Sequence, residues 1–282
     1  MKKISLILSG GGARGIAHIG VINYLESKGY VIENVAGTSM GAIVGAIYSA
    51  GKLKEFENFL LNLDAKTIIK LLDFSLNRPG IIEGKKILKK LKEFLPVDSI
   101  EKLNKNFLCI ATDLYNQKEL VWKSGDLLTA VHSSFAIPFV FDPVQFQEKF
   151  LVDGGVVNNI PLNHINCELM TVAVCANASI GMDILPPDIL QPQKKYKEKK
   201  SIIETYLNKF LKKKKDEKSP GYYDILDQTL HLMIEQNSKN ILNNYPPDYL
   251  IEIPRKIAGT FDFLKARQLI KAGEYLAEKA IP

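Results

Sequence analysis

Three stretches of this 282-residue chain carry residue types and spacings that could do chemistry. The first is Gly37-Thr38-Ser39-Met40-Gly41, a G-x-S-x-G pattern between a short apolar run and a run of small and apolar residues. A serine in that strand-to-helix context is a candidate nucleophile. The turn that lifts it is sharp, so the positions two before and two after, Gly37 and Gly41, must be nearly free of side chain. The serine then stands at a helix N-terminus, where the dipole favours a developing anion. The second stretch is Phe150-Leu151-Val152-Asp153-Gly154-Gly155, which places a carboxylate where an apolar strand ends. Such an aspartate can take a serine proton while backbone amides hold its second oxygen. Taken alone, Asp-Gly-Gly is more readily an ordinary turn signal.

The third stretch, Gly10-Gly11-Gly12-Ala13-Arg14-Gly15, has two readings. It fits G-x-G-x-x-G, the pattern of a dinucleotide-phosphate loop. That reading needs an acidic residue at the end of the second strand for the ribose hydroxyls. Glu33 is the only acid there and lies near the strand's beginning, while Gly37-Thr38-Ser39 fill its end. No P-loop Lys-Ser/Thr follows the glycines either. The other reading is an oxyanion loop, in which glycine amides ahead of a helix meet the charge of a tetrahedral intermediate. Gly10, Gly11 and Gly12 are the candidate donors, joined by the amide of Met40, and Arg14 could steady the anion or the loop. The four histidines, His18, His132, His164 and His231, sit in helical or polar contexts and read as structural residues rather than as a catalytic base.

The elements that must position these residues follow from periodicity. Lys3–Ser9 reads as a buried strand, Gly15–Ser27 as a helix with Ile16, Ile19, Ile22 and Leu25 three apart, and Val31–Ala36 as a second strand. Met40–Ala50 reads as a helix stopped by Gly51. Strand–helix–strand–helix with tight glycine turns predicts an α/β fold on a parallel sheet. Further on, Lys52–Leu95 reads as broken amphipathic helix and Phe107–Leu114 with Glu119–Trp122 as paired strands. Leu127–Ser134 reads as a helix, Val144–Phe146 with Phe150–Val152 as a hairpin, and Met170–Cys175 as a buried strand. Helices at 222–243 and 264–279 and a strand at 249–253 close the chain.

Together the motifs resemble the patatin-like phospholipase family, most of all its bacterial and neuropathy-target-esterase-like branch. Four blocks match in order: GGGARG (10–15), GTSMG (37–41), SSFAIPFVFDPV (133–144) and DGGVVNNIP (153–161). The resemblance covers roughly residues 3–176. It implies a three-layer sandwich with a mostly parallel central sheet flanked by helices. It implies a Ser39/Asp153 dyad, an oxyanion hole from Gly10, Gly11 and Gly12, and no catalytic histidine. Arg14, Gly15, Gly37, Gly41, Pro138, Gly154 and Gly155 would support the site. Hydrolysis of a phospholipid or another acyl-ester lipid, with neither metal nor cofactor, would follow. Ser133-Ser134 stands where the family block often has Ala-Ser, a mild departure. Two alternatives stay open: a nucleotide-binding α/β protein using the glycine loop, and a catalytically silent lipid-binding relative.

Composition sets the remaining bounds. With 46% hydrophobic and 24% charged residues the chain has an ordinary globular balance. Residues 1–176 are expected to form the catalytic core, and 177–282 a continuation of the same domain. Cys109, Cys167 and Cys175 lack C-x-x-C spacing and read as buried free thiols of a reducing compartment. Ile4–Leu8 is too short for a signal-peptide core, and the uncharged stretch 34–51 reads as turn and helix, so a cytoplasmic protein without a membrane span is expected. The net charge of +6 is uneven: eleven lysines and four acids give residues 194–218 a net of +7, leaving −1 elsewhere. Within that segment Ile203, Tyr206, Leu207 and Phe210 share a helical face, and Lys212, Lys213, Lys214 and Lys215 follow. That pattern fits peripheral contact with an anionic membrane. It carries no nucleic-acid motif, and none is expected to bind.

Overall fold

The computed structural model describes residues 2–73, 82–165, 168–190 and 222–281. The strands are β1 (Lys2–Leu8), β2 (Tyr30–Thr38), β3 (Asn106–Asp113), β4 (Lys118–Trp122), β5 (Val144–Phe146), β6 (Lys149–Asp153), β7 (Met170–Ala178) and β8 (Tyr249–Pro254). The helices are α1 (Ala17–Ser27), α2 (Met40–Ser49), α3 (Leu53–Leu61), α4 (Ala65–Leu71), α5 (Lys85–Lys92), α6 (Leu127–Phe135), α7 (Pro187–Leu190), α8 (Tyr222–Asn244) and α9 (Ala266–Ala280). Among the described residues the strands form one mixed sheet, ordered β5-β6-β3-β2-β1-β7-β8, with β4 also paired to β3. The β3-β2-β1-β7-β8 portion is parallel. β4, β5 and β6 run antiparallel to their partners.

Both faces of the central strands are covered, which is why Ile4–Leu8 of β1 is buried throughout and mostly apolar. Successive side chains alternate between faces. Leu6, Leu8, Val35, Val172 and Val174 enter a large core with residues of α1, α2 and α9. Ile7, Ala36, Leu108, Ile110 and Ala173 enter a smaller one with Ile160, Leu162 and residues of α8. The result is the expected α/β arrangement, a central sheet between helical layers.

Boundaries differ from the sequence expectation where tertiary bonds intervene. The segment Gly12–Ile16 is a 3₁₀ turn and α1 begins only at Ala17. The Ala13 amide donates to the Thr260 carbonyl (2.8 Å), so the chain after the glycines is tied outward before a regular helix starts. β2 continues to Thr38 because β3 stays in register beside it as far as Thr38↔Ile110. The region 52–95 resolves into α3, α4 and α5, with 74–81 outside the described residues. Cys167 and the amphipathic segment with Ile203, Tyr206, Leu207, Phe210 and Lys212 to Lys215 also lie outside them. Cys109 and Cys175 are buried free thiols. No helix among the described residues is long and apolar enough to cross a membrane.

Candidate active site

The register of β3 brings Ser39 and Asp153 together. Up to Ile110 one edge of β3 pairs with β2, and from the next residue that edge pairs with β6, Ala111↔Asp153. The end of β2 and the end of β6 therefore meet at adjacent positions of one strand. Ser39 Oγ donates to Asp153 Oδ2 at 2.6 Å, and both residues are 6% exposed. Asp153 Oδ1 accepts the Gly155 amide at 2.7 Å, which fixes the carboxylate from its other side. Burial pushes the Asp153 carboxyl up to about 6, against the lowering effect of the Ser39 and Gly155 bonds.

The elbow is strained as the pattern requires. Ser39 holds φ 55° and ψ −121°, a region costly for a residue with a Cβ. A methyl at Gly41 would run into the Leu8 carbonyl, and one at Gly37 would come 2.5 Å from the Gly41 carbonyl. The elbow is braced by Ser134, whose Oγ accepts the Ser39 amide at 3.0 Å, and by Thr38 Oγ1, which donates to the Asn158 carbonyl at 3.0 Å. Ala136 accepts the Asp153 amide at 2.9 Å, so the last turn of α6 and the residue that caps it hold both candidate reacting residues.

The glycine loop lies at the carboxyl ends of β1 and β7, where open α/β sheets place their ligands. Its candidate donors are not equivalent. The Gly10 amide is already engaged, donating to the Asn159 carbonyl at 3.1 Å. Gly10 instead permits close approach, since a methyl there would press on Asn159 Oδ1 and the Ser39 Cβ. The amides of Gly11, Gly12 and Met40 have no acceptor among the described residues. Met40 opens α2, whose N-terminus carries no side-chain cap. Arg14 is 3% exposed and is bonded to the segments around the glycine loop. Its guanidinium donates to the carbonyls of Ala176 (3.2 Å) and Ala258 (2.9 Å) and to Asn177 Oδ1 (2.9 Å). A methyl at Gly15 would strike Met40, and one at Gly154 the Ile110 carbonyl.

Two cavities meet at Ser39. One, about 80 Å³, holds Ser39 and Asp153 with Arg14, Asn177, Pro138 and His231. The other, about 140 Å³, runs from Ser39 and Met40 between Phe56, Leu60, Ile68, Leu91 and Phe135, and is almost wholly apolar. Ile137, Thr260 and Phe261 line both. Sequence reasoning missed Ser134, Asn159, Thr260 and His231. The trailing asparagines of the DGG block were a signal for Asn159, whereas α8 and the 258–261 loop offered none. Of the other histidines, His18 is buried against the Ser9 carbonyl (2.8 Å) and His164 contacts Glu119 (2.7 Å). Glu33 pairs with Lys3 (3.1 Å) near the start of β2, where a ribose carboxylate could not serve the glycine loop.

An NTE family protein of Mycobacterium tuberculosis, itself uncharacterised, is 29% identical, over 99% of this chain and 91% of that protein. Lysophospholipase NTE1 of Scheffersomyces stipitis is 26% identical over 58% of this chain and 11% of its own. The crystal structure of VipD from Legionella pneumophila aligns with a TM-score of 0.39 at 19% identity, over 61% of this chain and 49% of that one. The family model described as patatin-like phospholipase matches residues 6–165, more than half of the chain and every motif from the glycine loop to the DGG block. On that match the chain belongs to the patatin-like phospholipases, a family of lipid acyl hydrolases.

Proposed function

We propose that this chain hydrolyses acyl-ester lipids by a Ser39/Asp153 dyad. The observation that carries the reading is the 2.6 Å bond from Ser39 Oγ to Asp153 Oδ2 at a strained elbow. Ser39 Oγ attacks the ester carbonyl carbon and its proton passes to Asp153 Oδ2. The oxyanion is received by the amides of Gly11, Gly12 and Met40 at the head of α2. Collapse breaks the bond to the alcohol, which leaves with the proton from Asp153. Water then attacks the acyl-serine and gives its proton to Asp153. The second collapse releases the fatty acid and returns the proton to Ser39. The apolar cavity suits an acyl chain, and the cavity with Asn177 and His231 suits the alcohol portion. The relative named as a lysophospholipase makes a lysophospholipid one member of the substrate class to compare with diacyl phospholipid and acylglycerol.

Ser39→Ala and Asp153→Asn are each expected to lower hydrolysis of a short-chain p-nitrophenyl ester by at least ~10³-fold. Only the wild type and variants that keep Ser39 and Asp153 should label with a fluorophosphonate at full rate. Undiminished turnover in either variant sinks the dyad.

A further inference from the structure

The outer wall of the apolar cavity is unusually cationic. Five of the eight residues of α5 are lysine and none is acidic. Ile87, Lys90 and Leu91 of that helix line the cavity, while Lys85, Lys86 and Lys89 are exposed. α4 is divided in the same way. Ile68 and Leu71 line the cavity, while Lys66, Ile69 and Lys70 are exposed. Across residues 64–73 and 82–93 there are seven lysines and four carboxylates, a net of +3. With the chain at +6, residues 194–218 at +7 and this cap at +3, the remainder carries −4.

The carboxylates of the cap do little to neutralise its outer face. Asp64 accepts the Thr67 amide at 2.7 Å, and Asp73 accepts the amides of Gly84 (3.0 Å) and Lys86 (3.1 Å), so both are engaged at helix N-termini. Glu83 pairs with Lys85 and Glu93 with Lys90, each at 2.7 Å. Lys66, Lys70, Lys86 and Lys89 make no ion pair among the described residues. The cavity wall also reaches solvent, since its lining residues Phe59, Leu71 and Ile87 are only half-buried.

We propose that the α4–α5 cap is a docking face for an anionic phospholipid bilayer. Its lysines meet the headgroups, and the apolar wall behind them takes an acyl chain toward Ser39. An acidic protein or a nucleic acid could answer the lysines, but neither answers the apolar cavity they surround. Exposed lysines near an anionic membrane surface act additively and lose their effect within a Debye length. The acyl route rests on the hydrolase reading, whereas the binding itself can be read without turnover.

The test uses the full chain carrying K66E/K70E/K86E/K89E, with the quadruple Lys→Gln variant as a milder form. Sedimentation is measured with phosphatidylcholine vesicles, with and without phosphatidylglycerol, alongside thermal unfolding and p-nitrophenyl ester hydrolysis. The wild type should bind the anionic vesicles and leave the neutral ones. The charge reversal should lower that binding by at least ~10-fold, and the Gln variant by an intermediate factor. Soluble-ester turnover and the unfolding temperature should stay at wild-type values. Undiminished anionic-vesicle binding in both variants overturns the proposal, as does a wild type that binds neither vesicle. A wild type that binds vesicles but cleaves no ester removes the hydrolase reading and leaves the docking face standing.

Discussion

At the scale of single residues the site is governed by one buried carboxylate. On the proposed mechanism Asp153 takes the Ser39 proton only when ionised, and burial raises its carboxyl to about 6. Below that pH it is protonated, and Ser39 loses its proton acceptor. The kcat/KM of ester hydrolysis is therefore expected to fall about tenfold per unit below pH ~6 and to be flat just above it. A pH–rate profile on a soluble ester checks this. An acid limb at the ordinary aspartate range near pH 4 would mean that burial does not raise this carboxyl. The residue scale is also where sequence reading was sharpest. Ser39, Asp153, Gly37 and Gly41 lie in short local patterns, because a strained turn dictates its own neighbours. The role of the Gly10 amide was not legible, since its acceptor is the carbonyl of Asn159, far along the chain.

At the scale of elements, α1 and α9 cross closely enough to exclude any side chain. A methyl on Gly20 would collide with the Ile270 carbonyl, and one on Gly273 with the Ala17 carbonyl. Each glycine sits against the partner helix's backbone, so neither clash can be relieved by a side-chain rotation. Gly20→Ala or Gly273→Ala should cost about 2–4 kcal/mol, seen as a Tm lowered by roughly 3–7 °C in calorimetry. Gly29 offers the contrast: its φ is +78° but open space surrounds it. Gly29→Ala should cost about 1–2 kcal/mol, through its backbone alone. Equal effects at all three sites would argue against a close crossing. Periodicity placed both helices, but it could not say that α9 returns to α1, more than 200 residues away in sequence. Nor could it show β6 taking over the edge of β3 where β2 ends. Strand patterns specify which face is buried, not which neighbour is found.

At the scale of the whole molecule, the response of stability to acid contains opposing contributions from buried titratable groups. His18 is fully buried and burial pushes it down to about 4, against an unfolded value near 6.5. Between those limits the unfolded chain binds the extra proton, so stability falls as pH falls from about 6.5 to 4. Asp153 has the opposite sign. Its folded value of about 6 lies above the unfolded value near 4, so the folded chain binds the extra proton and gains stability over that same descent. Each effect is at most about 3 kcal/mol, and because burial also pushes His132 down to about 4, with the same sign as His18, Asp153 offsets only part of what the histidines lose in acid. Removing the carboxylate should expose that loss in full. Asp153→Asn is expected to be more stable than the wild type at pH 7–8, by up to about 3 kcal/mol, and to lose that advantage on the way to pH 4. Denaturant unfolding of the two proteins at pH 4.5, 6 and 7.5 checks the sign. A constant difference at all three would mean that Asp153 carries no strain of ionisation, and with it would go the case for this carboxylate as a base poised near neutrality.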